Sequence, residues 1–151
     1  MALRRRRDDE RGAEMVEFAF VVVLLVALLY GIITYGLILA AQATVTQAAA
    51  DGARSGIVFS TAAAQKAAAE GQASSDLGWM GKGTCNETSQ LTTCTAVPEQ
   101  CPSNSNNMCL AVTVTYNYSK APLFPEMPGL GVITPSTISS TSVLQVSTPS
   151  S

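Results

Sequence analysis

Two carboxylates stand at the mouth of a long uncharged stretch. Glu14 and Glu17 precede FAFVVVLLVALLYGIITYGLILAA, the 24 residues from Phe18 to Ala41. A carboxylate carried into an apolar slab costs a few kcal/mol unless it meets an opposite charge. Glu14 lies where an acid is ordinary. Glu17 adjoins Phe18, so it either finds a partner or stays hydrated and marks the interface. The second chemically distinctive group is Cys85, Cys94, Cys101 and Cys109. An even, clustered set in a small exported region predicts two disulfides, with three connectivities open. Zinc is the rival reading; the chain has no histidine, and gaps of nine, seven and eight are unlike paired C-x₂₋₄-C.

The same inventory leaves no enzyme to build. Without histidine, Ser-His and Cys-His nucleophile pairs are absent. Gly52-Ala53-Arg54-Ser55-Gly56 puts its serine fourth, which is not a nucleophile elbow. Gly81-Lys82 lacks a glycine five positions earlier, where Asp76 stands, so it is no phosphate loop. Asn86-Glu87-Thr88 and Asn117-Tyr118-Ser119 match a glycosylation sequon, a pattern common by chance. No cofactor and no metal is expected. A net charge of -2 gives no reason to expect nucleic acid as a partner.

The elements that must position these residues begin with the apolar run itself. As a helix it would be about 36 Å long, enough for a hydrocarbon core of about 30 Å with some tilt. It is apolar on every side, unlike the amphipathic helix of a soluble domain. Five of the nine basic residues, Arg4, Arg5, Arg6, Arg7 and Arg11, lie before it. Basic residues beside a span hold their side in the cytoplasm, so the N-terminus is expected inside and the remainder exported. The arginine run, followed by Asp8, Asp9 and Glu10, otherwise reads as a solvated, disordered leader.

Beyond Ala41 the residues become small. Gln42 to Ser55 continues the helix, with an end near Gly52 or Gly56; Thr61 to Leu77 is a second helical stretch, and Gly78, Gly81 and Gly83 close it. Lys66 and Glu70 are four apart, in the weaker orientation. Thr84 to Asn107, with Pro98, Pro102 and a Ser-Asn run, reads as a cysteine-bearing loop region. Leu110 to Tyr118 alternates strictly, with Val112, Val114, Tyr116 and Tyr118 to one side: a half-buried strand. Ala121 to Pro135 carries four prolines and reads as loop, and Thr137 to Ser147 as a last strand antiparallel to the first. The expected fold is α+β and membrane-anchored, a long helix leading to a small disulfide-stapled domain with an antiparallel sheet. The expected divisions are a basic leader (1–12), a transmembrane helix (13–41), a helical extension (42–83) and a cysteine-containing β-rich region (84–151).

Gly12, four residues, Glu17, Phe18 and then a long apolar helix resembles the signal of type IV pilins and pseudopilins. The resemblance implies that a membrane prepilin peptidase cuts between Gly12 and Ala13. Ala13 then carries a free amine, and Glu17 becomes the fifth residue of the mature chain. It further implies that Glu17 pairs with the Ala13 amine of a neighbouring subunit while the apolar helices, Phe18 among their first residues, bury one another. Two opposite charges in such a low-dielectric bundle are far better paired than apart.

RGAEMVEFA at Arg11 to Ala19, glycines at 31 and 36 within the apolar run, and the A-x-x-G-A-R segment Ala49 to Arg54 are similar to the TadE-like family of the tight-adherence (Flp) secretion system. A V-x-V-x-Y strand at Val112 to Tyr116 and a hydrophobic strand at Ile138 to Val146 fit the same family. The resemblance implies a minor pilin or pseudopilin with a structural role in pilus biogenesis and surface adhesion. Its partners would be the prepilin peptidase, other pilins, assembly-platform proteins and membrane lipid. Three readings stand beside it. Ala41-Gln42-Ala43 could end a secretory signal, although the apolar run exceeds the usual 7–15 residues. The helix could be an uncut anchor for an envelope accessory or binding protein. A DNA-uptake pseudopilin needs a basic exported surface, and the four bases past Ala41 face six acids.

Overall fold

The computed structural model describes residues 3–80, 85, 90–125 and 134–146, without the side chains of 3–11. The chain falls into two units, Met1–Leu37 and Ile38–Ser151.

The first unit is helix only. Helix α1 runs Leu3–Gly56 and so begins in the arginine leader, whose backbone is helical rather than disordered. From Gly12 to Leu37 its side chains are exposed apart from the half-buried Tyr30, Thr34 and Leu37. Phe18, Phe20, Val23 and Leu24 each show more than 60% of their surface. The Gly12–Gly56 stretch reaches a mean hydropathy of 2.7 and, among the described residues, is the helix long and apolar enough to cross a membrane. Water disfavours so much open apolar surface, and lipid or neighbouring helices would remove the cost.

The second unit is the α+β domain. It opens with the last turns of α1, where Ile38, Ala41, Val45, Ala48, Ala49 and Ala53 are buried at spacings of three and four. Helix α2 (Ala62–Asp76) is capped by Thr61, whose hydroxyl accepts from the Ala64 amide, and buries Gln65, Ala69 and Ala73. The Gln65 amide group donates to the Phe59 carbonyl at 2.8 Å, fixing the turn between the helices. A single 3₁₀ turn, Gly78–Met80, follows.

Three strands complete the unit: β1 (Thr92–Cys101), β2 (Asn104–Tyr116) and β3 (Ile138–Gln145), antiparallel in the order β1-β2-β3. Leu110, Val112, Val114 and Tyr116 turn to the helices, as alternation predicts. Across the ladder Cys94 pairs with Val114 and Ala96 with Val112 on that buried face. The opposite face carries hydroxyls, with Thr113 bonded to Thr141 at 2.9 Å and Thr115 to Ser139 at 3.0 Å.

The region from Thr84 to Asn107 is not the loop expected, because it contains β1 and the start of β2. Pro98 is tolerated since β1 is an edge strand, where a missing N–H costs no ladder bond. The polar Asn104–Asn107 run extends the hairpin beyond the buried part of the sheet. Both helical stretches and the last strand fall where the sequence put them. Of the expected closing glycines, Gly81 and Gly83 lie outside the described residues, as does most of the proline loop.

Candidate processing and assembly site

Gly12, Ala13, Glu17 and Phe18 lie on successive turns of α1, all exposed. Ala13 and Glu17 are one turn apart and share a face. Nothing packs on Gly12: a Cβ built there meets no atom within 4 Å. Two other glycines of the same helix are different. A Cβ on Gly52 would stand 3.0 Å from the Ala69 carbonyl and 3.4 Å from Val112 Cγ1. One on Gly56 would run into Leu110 Cδ2 and lie 3.0 Å from the Gln65 carbonyl. Close packing therefore favours glycine at 52 and 56, and nothing packs at 12. Arg4, Arg5, Arg6, Arg7 and Arg11 share the helical backbone of the leader, and their side chains lie outside the described set.

The small residues of A-x-x-G-A-R are explained by packing. Ala49 and Ala53 are fully buried, and Gly52 admits the backbone of α2. The Ser55 hydroxyl, with one proton to share, lies 2.8 Å from the Gly52 carbonyl of its own helix and 3.1 Å from the Ala68 carbonyl of α2. Arg54 points outward and pairs with Asp51 at 3.4 Å, an exposed pair of small worth.

The cysteines resolve into Cys85–Cys94 and Cys101–Cys109, with Cα separations of 5.3 and 5.0 Å. Each link joins a cysteine to the next cysteine along the chain, and all four are paired. Cys94 faces the core side of β1 and ties Cys85 to it, while the Ser74 hydroxyl of α2 accepts from the Cys85 amide at 2.8 Å. The second bridge closes the β1–β2 hairpin beyond the core.

A disulfide-stapled three-stranded domain, led by a helix of membrane-crossing length, defines an α+β protein of the membrane-anchored kind. The family model described as TadE-like protein matches residues 12–54, so over that stretch the chain is similar to the TadE-like family. The match opens at Gly12 and closes at Arg54, so it takes in the Gly12–Phe18 motif, the apolar helix and the buried Gly52. No curated protein and no solved structure matches the chain.

Proposed function

We propose that this chain is a minor pilin or pseudopilin of a tight-adherence pilus, acting through subunit packing and not through catalysis. In this reading a prepilin peptidase cuts between Gly12 and Ala13, leaving the arginine leader in the cytoplasm. Residues 13–41 cross the inner membrane of a bacterium, 42–83 continue the helical part outside, and 84–151 form the exported β-rich region. Other pilins and the assembly platform take up the mature subunit, which serves pilus biogenesis and hence surface adhesion.

The observation that carries the reading is the Gly12–Phe18 motif at the head of the apolar helix, where the TadE-like match opens. Gly12 sits in open space, as Gly31 and Gly36 of the same helix do, so no packing within the fold fixes it as glycine. A protease that must admit the backbone supplies a use. Glu17 and Phe18 support the same reading, being exposed beside the new terminus with no cover from their own chain. A carboxylate placed one turn into an apolar helix is costly alone and favourable against a neighbour's amine. The test is Glu17→Ala in the native host. Membrane insertion should remain and incorporation into filaments should be lost; normal incorporation would refute the role given to Glu17.

A further inference from the structure

The chain has one tryptophan, and it is tied to the place where the apolar run stops. Trp79, in the 3₁₀ turn after α2, is 55% exposed. Its indole N–H donates to Thr44 Oγ1 at 3.1 Å. The Thr44 hydroxyl in turn donates to the Ala40 carbonyl at 2.9 Å. Ala40 belongs to the last turn of the uncharged run, which ends at Ala41. Thr44 stands three residues past that end, about 4.5 Å along the helix axis. The two hydrogen bonds thus fix the indole at the level where apolar sequence gives way to polar sequence.

The packing of the domain points to the same level. Gly52 meets Val112 and Gly56 meets Leu110, so four helical residues, about 6 Å, match two strand residues, about 6.6 Å. Toward the N-terminus the same core reaches the end of the apolar run. Tyr116, Tyr118, Ile38 and Ala41 are all buried in one core cluster. The domain core therefore includes Ile38 and Ala41, which belong to the apolar run.

We propose that Trp79 is a membrane-interface anchor, its ring seated at the headgroup–acyl boundary of the outer leaflet and holding the exported domain down on the lipid. Tryptophan prefers that boundary because the ring is apolar and amphipathic in outline. Here the N–H is already satisfied by Thr44, so the exposed part of the ring can enter the acyl region without stranding a donor. The occupant of this surface is lipid, and the proposal rests on the reading that α1 spans a membrane.

Because Trp79 is the sole tryptophan, its fluorescence can be read in the full chain without substitution. The protein is reconstituted into phosphatidylcholine vesicles brominated either near the headgroup end or near the terminus of the acyl chains. Integral insertion is checked separately by resistance to alkaline carbonate. The expected result is a blue-shifted emission that loses most of its intensity with bromine near the headgroup end and much less with bromine at the chain terminus. A carbonate-resistant protein whose emission ignores both lipids overturns the anchor and leaves the span intact, whether acrylamide quenches it or a second copy shields it. Release by carbonate would remove the span and the anchor together.

Discussion

Gly56 of α1 and Leu110 of β2 meet where a side-chain carbon on the glycine would collide with the leucine methyl. The contact matters because the helices and the sheet of this domain are joined largely by small residues. Alanine buries little area, so close backbone approach replaces bulk.

Gly56→Ala should accordingly lower stability by about 1–3 kcal/mol, the usual cost of forcing a carbon into a filled site. Gly71, in the interior of α2, has nothing within 4 Å of its missing Cβ. Gly71→Ala should raise stability by about 0.5–1 kcal/mol through helix propensity alone. Thermal unfolding of the two variants would check the contrast, and equal effects would contradict the packing described.

The Cys101–Cys109 bridge closes a short loop, and opening it should cost about 2.5 kcal/mol on the chain-entropy account. Peptide mapping without reduction should recover Cys85 with Cys94 and Cys101 with Cys109. Either crossed pairing would be incompatible with the β1–β2 register. Loss of the hairpin bridge should leave the α1–α2 contacts intact, since neither cysteine belongs to the buried cluster in which those helices pack.

Tyr116 supplies a pH signature. Its hydroxyl donates to the Ala121 carbonyl inside the core. Burial, and then the nearby Tyr118, push its pKa above the ordinary tyrosine value of 10.0. The folded state thus holds the proton more tightly than the unfolded chain. The contribution is fully present below about pH 10 and is lost as pH rises through the folded pKa. Denaturant midpoints measured upward from neutral pH should stay level as far as this residue is concerned and then fall; Tyr116→Phe should flatten the fall.

Much of this was legible in the residues. The 24-residue uncharged run and the alternation from Leu110 to Tyr118 announce a helix and a strand because each has its own period and enough large apolar residues. Strand β1 hid because its buried positions, Thr92, Cys94 and Ala96, are small or polar, and because Pro98 argues against a strand unless the strand is known to be an edge. Disulfide pairing could not be read, since it depends on the hairpin register that brings Cys109 opposite Glu99. The role of Trp79 was hidden for a related reason, as its partner Thr44 is 35 residues away. Gly12 is the reverse case: its meaning lies in the motif, and the fold adds only that no packing requires it.

The N-terminal residue of the protein taken from its native host membranes bears most directly on the account. Intact mass and N-terminal sequencing should place the start at Ala13, with residues 1–12 gone and the apolar helix retained. A membrane-held chain that still begins at Met1 would contradict processing and favour an uncut tether for an envelope accessory protein. A start at Thr44 would mean a secreted domain without its helix, and would contradict the assembly role altogether.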